Sequence, residues 1–147
     1  MLAYLCSMLT DNPKVMAILD RDLIGFLTAV NESGQPQSAP VWFWRDHDDI
    51  VVYNRPTSPR LTSIAANPKV SFSVRGDIRA AGALILEGSA TIGGLPPATD
   101  LPDYVTKYER EIERLGWTPA TFSEMYSEGL RITVSRVWAW GLDALGE

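Results

Sequence analysis

The chain is poor in the residues that build metal centres and staples. It has one cysteine and one histidine. Cys6 alone cannot close an internal disulfide, so a disulfide-framed secreted fold is excluded and a reducing, cytoplasmic setting is expected. His47 lies in Asp46-His-Asp-Asp49, and four adjacent turn residues rarely converge on one ion, so a solvated hairpin is expected there and no metal. Basic charge is also scarce: 13 Lys and Arg face 18 Asp and Glu, for a net charge of −5. General nucleic-acid binding needs a basic face, so no such partner is expected. Long apolar runs are missing. The start, Leu2-Ala-Tyr-Leu-Cys-Ser-Met-Leu9, lacks a basic flank and is too short to span a bilayer, so residues 1–10 read as a packed or loosely ordered N-terminus and no membrane partner is expected. No Walker loop, GxGxxG, GxSxG or HExxH occurs, and each of those motifs carries its own chemistry. Glu109, Glu111 and Glu113 interleave with Arg110 and Arg114 as a charged solvent face does. With no acid–base or nucleophilic constellation, any chemistry rests with a bound cofactor.

What is present suits a folded domain. The 147 residues are 46% hydrophobic and 21% charged, enough for one domain over 1–147 that buries roughly 70% of its unfolded surface. Five tryptophans and five tyrosines point to flat ligand surfaces or a subunit interface, or simply fill a small barrel core. A helix is expected from Asp11-Asn-Pro13 to about Asp20, capped by Thr10 or Asp11. Strands are expected over Leu23 to Val30, Gln37 to Arg45 and Ile50 to Tyr53, joined by tight turns as an antiparallel meander. Alternation predicts a strand over Lys69 to Arg75, followed by a loop from Gly76-Asp77. A further strand over Ala83 to Ile92 holds Gly88 at a bulge or barrel corner. An amphipathic helix follows over Asp103 to Leu115, with Tyr104, Val105, Tyr108, Ile112 and Leu115 on one stripe and Gly116 as its stop. Thr118-Pro119 starts a helix to about Ser127. A last strand runs from Leu130 to Trp140, with Ile132, Val134, Trp138 and Trp140 on one side. The sum is a mainly β (α+β) fold: an antiparallel six-stranded split β-barrel with flanking helices.

Tyr53-Asn-Arg-Pro-Thr-Ser-Pro-Arg-Leu-Thr-Ser63 carries the chemistry. It joins a strand to a helix. Ser58 suits the N-cap and Pro59 the first helical position. Hydroxyls of Thr57, Ser58 and Ser63 with the guanidinium groups of Arg55 and Arg60 suit an anion such as a phosphate. The same residues also suit an ordinary connection with solvated arginines.

The ordered set Gly25-Phe-Leu-Thr-Ala29, Gly34-Gln-Pro-Gln-Ser-Ala-Pro-Val-Trp-Phe43, Tyr53–Leu61, Asn67-Pro-Lys-Val70 and Leu86-Glu-Gly-Ser-Ala90 resembles the pyridoxamine 5'-phosphate oxidase-like split-barrel superfamily of flavin and deazaflavin oxidoreductases. The tail, Lys107-Tyr108, Leu115-Gly-Trp-Thr-Pro119 and Arg131–Val137, is similar to the branch of probable F420-dependent enzymes. The resemblance implies a homodimer with cofactor sites between subunits, and F420 as cofactor with FMN as the alternative. It implies an oxidoreductase that passes a hydride to an electron-poor small-molecule double bond. The alternatives are an FMN-binding reductase or oxidase of the same fold, or a non-catalytic cofactor binder. By position it implies Thr57, Ser58, Pro59, Arg60 and Ser63 at the phosphate and ribityl end, with Asn54 and Arg55 nearby. It places Gln37, Ser38, Pro40, Val41 and Trp42 behind the ring system, and Trp138 or Trp140 in reach of the partner's site. Relatives commonly carry lysine where Arg60 stands, so point-charge recognition becomes a fork. An acidic tail on the cofactor would need a basic groove, for which Arg55, Arg60, Lys69, Arg75 and Arg79 are the candidates.

Overall fold

In the computed structural model, residues 3–6, 8–74 and 82–145 are described. The expected loop at Gly76-Asp77 and the cations Arg75 and Arg79 lie outside them. The strands are β1 (Ala3–Cys6), β2 (Gly25–Val30), β3 (Pro36–Val41), β4 (Trp44–Asp46), β5 (Asp49–Asn54), β6 (Lys69–Val74), β7 (Ala83–Ile92) and β8 (Glu128–Trp140). The helices are α1 (Pro13–Arg21), α2 (Pro59–Ala66), α3 (Pro102–Arg114), α4 (Pro119–Met125) and the short α5 (Leu142–Leu145). No helix among the described residues is long and apolar enough to cross a membrane.

The sheet is antiparallel in the order β3-β2-β6-β7-β8-β5-β4, with β1 added to β8. Its two edge strands, β3 and β4, are separated in the chain only by Trp42 and Phe43. Val41 and Trp44 are three Cα steps apart, about 11 Å at most, so the edges must approach and the sheet curls into a half-barrel. The expected meander is present in its pairings, β2 with β3 and β4 with β5, but the strand expected over Gln37 to Arg45 breaks in two between them, and β5 also pairs with β8. The strands exceed the six expected because β4 separates from β3 and β1 adds to β8.

The break has a physical cause. At the corner Phe43 turns inward, fully buried, and packs edge-on against Phe72 at 4.9 Å. Trp42 turns the other way and stacks on Tyr108 at 4.6 Å. Leaving the ladder strands the backbone of Phe43. The buried Tyr108 hydroxyl replaces the lost partners: it accepts from the Phe43 N–H at 2.7 Å, and the carbonyls of Phe43 and Leu23 lie within its reach at 2.7 and 2.8 Å.

β5 is buried on both faces. Ile50 and Val52 join the barrel core with Leu27, Phe72, Leu84 and Leu130. Val51 and Tyr53 face a second core with Tyr104, Tyr108 and Ile112 of α3 and Phe122 of α4. Tyr104, Tyr108 and Ile112 recur at helical spacing, as expected. Leu115 does not belong to that stripe: α3 ends at Arg114, and Leu115 is 44% exposed. Gly116, at φ 77°, turns the chain away. The N-cap of α1 is Asn12, not Thr10 or Asp11; its side chain accepts from the N–H of Lys14 and Val15.

Gly88 lies where β7 passes very close to β8: a Cβ there would fall 2.2 Å from the Thr133 carbonyl oxygen. The expected bulge is present. Glu87 pairs with Arg136 and Gly88 with Val134, leaving Ser135 as an extra residue in β8. One extra residue reverses the side-chain alternation. Ile132 and Val134 therefore point inward, but beyond the bulge it is Val137 and Ala139 that are buried. Trp138 and Trp140 face outward, opposite to the expected single side.

Replacing Tyr108 with Phe should lower the unfolding free energy by about 2–3 kcal/mol in urea denaturation, because buried backbone groups lose their partners; an unchanged midpoint would refute the role of the hydroxyl. Lys107, next to it, donates to the Leu19 carbonyl at 2.9 Å with its amine 3.8 Å from the Phe43 ring centre. Burial lowers its pKa from 10.5 to about 8, against the opposing charges of Asp20 and Asp22. Below pH 8 the charged amine carries its full burial cost. Between 8 and 10.5 the unfolded chain keeps a proton that the folded chain has lost, so stability rises with pH across that window. The difference in unfolding free energy between wild type and Lys107→Met should move in favour of wild type by about 1–2 kcal/mol over it. Tyr53, pushed up to about 12, acts with opposite sign above pH 10, but is common to both proteins.

Candidate cofactor site

α2 begins where β5 ends, after a turn closed by the Ser58 N–H to the Arg55 carbonyl at 3.0 Å. Proline at the first helical position and an extended Ser58 set the helix start. Ser58 occupies the N-cap but its hydroxyl makes no capping bond, which leaves it to the adjoining cleft. Asn54 is fully buried at the end of β5. Its amide donates to the carbonyls of Val52 and Glu128, and its oxygen accepts from Arg60 Nε at 2.7 Å. The carboxamide is thus held by two strands and aims the guanidinium. The terminal nitrogens of Arg60 have no protein partner among the described residues. Burial lowers Arg60 below the ordinary guanidinium value, with Tyr126 opposing; a cation short of water gains most from an anion.

Arg60 stands where two clefts meet. One, of about 170 Å³, is lined by Gln37, Ser38, Ser58, Pro59, Arg60 and Ser63, with Leu27, Ala29 and Ala39. The other, of about 490 Å³, takes Arg60, Pro40, Val41 and Trp42 on one side and Tyr53, Trp117, Phe122 and Tyr126 on the other. Its rings are in register: Trp42 to Phe122 at 5.4 Å, Phe122 to Tyr126 at 4.9 Å and Trp117 to Tyr126 at 6.2 Å. The first cleft is rich in hydroxyl and amide groups and the second in flat apolar walls. Neither lining includes a carboxylate. A phosphate end and a planar ring end joined through Arg60 fit this pair.

The structure brings Gln37, Ser38, Pro40, Val41, Trp42, Ser58, Pro59, Arg60 and Ser63 to these clefts and places Asn54 behind Arg60. Three other residues lie elsewhere. Arg55 is exposed, with its guanidinium 5.1 Å from the Tyr126 ring centre. Thr57 is an exposed turn residue and lines neither cleft. Trp138 faces outward and donates to Glu87 Oε1 at 2.6 Å. Sequence reasoning overlooked Tyr53, Arg114, Trp117, Phe122 and Tyr126. The signal was present in the tail Leu115-Gly-Trp-Thr-Pro119, but nothing local says that α3 and α4 fold back over β5.

A third cleft holds Asp20, Arg45, His47, Asp103 and Lys107. Its arginine is spent on structure: Arg45 grips Asp20 at 2.8 and 2.9 Å and donates to the His47 carbonyl. His47 is 90% exposed, as expected of a hairpin tip, and no group of three His, Cys, Asp or Glu residues among the described residues is placed to hold a metal.

Several solved structures share this architecture. A conserved hypothetical protein of Mycobacterium tuberculosis superposes with a TM-score of 0.73 at 20% identity, over 99% of this chain and 93% of its own. A FAD-binding protein of Mesorhizobium loti gives 0.64 at 15% identity, covering 95% of each chain. An F420 reductase gives 0.59 at 22%, over 82% of this chain and 90% of its own. These likenesses establish the fold. No curated protein matches the sequence. The model of the pyridoxamine 5'-phosphate oxidase family matches residues 12–141, which span both clefts and every strand but β1, and the chain belongs to that family.

Proposed function

We propose that the protein is an oxidoreductase that uses a flavin-type cofactor, F420 in the first instance, to reduce an electron-poor small-molecule double bond. The observation that carries the reading is the junction at Arg60: a hydroxyl-lined cleft and an aromatic cleft share one oriented, partly buried cation. Arg60, Ser58 and Ser63 hold the phosphate end, and Gln37 and Ser38 line the passage to the ring. Pro40, Val41 and Trp42 back the ring. A bound deazaflavin supplies hydride chemistry. The chain supplies position and dryness: Trp42 is immobilised by its stack on Tyr108, and Phe122, Tyr126 and Trp117 keep water from the opposite side. A proton, where one is needed, comes from solvent, since no carboxylate, histidine or lysine lines the aromatic cleft.

F420 is supported by the tail that the chain shares with that branch and by the F420 reductase among its structural relatives. FMN is the second reading, favoured by the net charge of −5, which opposes an acidic cofactor tail; among the described residues, Arg55 and Lys69 are the remaining cations for such a tail. A protein that binds either cofactor but turns over no enone or quinone is a binder and not a reductase.

The second subunit is part of the proposal. Pro40, Phe26, Ser73, Ile85 and Trp138 are successive cross-strand partners across β3, β2, β6, β7 and β8. All lie on the outward face, and Phe26 is 42% exposed. A second copy laid on this row would reach the rim of the aromatic cleft at Pro40 and bring Trp138 towards it.

Titrating the apoprotein with F420 and with FMN, followed by tryptophan fluorescence, should show saturable quenching by the preferred cofactor, and Arg60→Ala should weaken it at least tenfold, or about 1.4 kcal/mol; unchanged affinity would refute the phosphate placement. Sedimentation should show a dimer that Phe26→Asp converts to monomer. A monomeric wild type would sink the two-subunit site.

A further inference from the structure

The aromatic cleft has a second cation, and nothing in the cofactor reading uses it. Arg114, the last residue of α3, lines the cleft opposite Arg60. It is 69% exposed, and among the described residues its hydrogen-bonding partner is Glu111, at 2.7 and 3.1 Å. We propose that this cleft takes a flat, conjugated carboxylate as substrate, with the acid group gripped by Arg114 and the body stacked against the Trp117 and Tyr126 rings, leaving the Trp42 side to the cofactor ring. The proposal rests on the hydride-transfer reading for the word substrate; the binding of such an acid stands on the cleft itself.

Shape comes first. The cleft of about 490 Å³ is walled by Trp42, Phe122, Tyr126 and Trp117, each in ring contact with a neighbour. Tyr53 is pinned by its hydroxyl to the Pro96 carbonyl at 2.6 Å. A wall of such rings suits a planar ligand laid against it by offset stacking. Polarity follows. The lining contains two guanidinium groups and no carboxylate, in a chain whose net charge is −5. Arg60 is tied by Asn54 and faces the phosphate cleft, so Arg114 is the cation left for the substrate.

The competing partner is weak. An ion pair three residues apart on an open helix surface is screened and contributes little. A ligand carboxylate can take its place with two parallel N–H donations, and does so beside apolar walls where such a pair is stronger. The C-terminal end of α3 opposes an anion through its dipole; a full guanidinium charge in direct contact outweighs that partial charge. At the rim stand Ile24 and Leu115, 41% and 44% exposed. Leu115 follows Arg114 directly, so apolar surface and cation are presented side by side, matching a ligand with an apolar body and an acidic end.

The test is calorimetric titration of the intact protein with trans-cinnamate and with trans-cinnamamide, two flat probes of nearly equal shape that differ in charge. Cinnamate should bind at least tenfold more tightly. In Arg114→Gln the two should agree within twofold, with the melting temperature unchanged because the side chain is exposed. Equal affinities in wild type, no binding of either probe, or a preference that survives Arg114→Gln would each overturn the proposal. Cofactor titration on the same samples separates the two readings. Cinnamate preference without cofactor binding would leave an acid-binding cleft and remove the redox role, whereas cofactor binding without the preference would do the reverse.

Discussion

One phenolic hydroxyl makes the fold possible at its hardest point. A sheet that curls on itself within two residues must break its ladder, and buried backbone groups without partners are costly. Tyr108 supplies those partners at the Trp42–Phe43 corner. It also supplies a flat surface on which Trp42 lies, 9° from parallel. The same contact therefore closes the half-barrel, attaches α3 to it and fixes one wall of the aromatic cleft. Stability and the shape of the cleft share an origin here.

Electrostatics divides the site as packing shapes it. The chain is acidic overall, yet its two adjoining clefts have arginines and no carboxylates in their linings. Arg60 is aimed by a buried carboxamide, Asn54, which carries no charge and so leaves the guanidinium fully available to an anion. Arg45 shows the contrast. It is paired at two points with Asp20 and again with a backbone carbonyl, and is a structural cation. The partners of each arginine distinguish a cation whose terminal donors remain open from one already paired, where composition treats them alike.

Much of this was legible in the chain. Strands β6 and β7 and helix α3 follow from alternation and helical spacing, and Gly88 marks the place in β7 that faces the bulge at Ser135 of β8. From Asn54 to Ser63 hydroxyls, prolines and arginines crowd a strand-to-helix turn, and five of these residues surround one cleft or aim its cation. What could not be read was non-local. The corner at Trp42 and Phe43 looks like continuing strand because both residues favour strands; only the reach of Tyr108, 65 residues away, ends it. The reversal at Ser135 needs the register against β7. The aromatic wall from α4 needs the fold-back of α3 over β5, which no local pattern encodes.

A phosphate-bearing planar cofactor is proposed to lie across Arg60, with its ring against Trp42. Crystals grown with F420 or FMN test it directly. Phosphate oxygens should lie within hydrogen-bond distance of the Arg60 terminal nitrogens, with the ring system in the cleft beside Pro40, Val41 and Trp42. A phosphate bound instead in the cleft of Arg45 and Lys107, or a ring lying outside the aromatic walls, would contradict it.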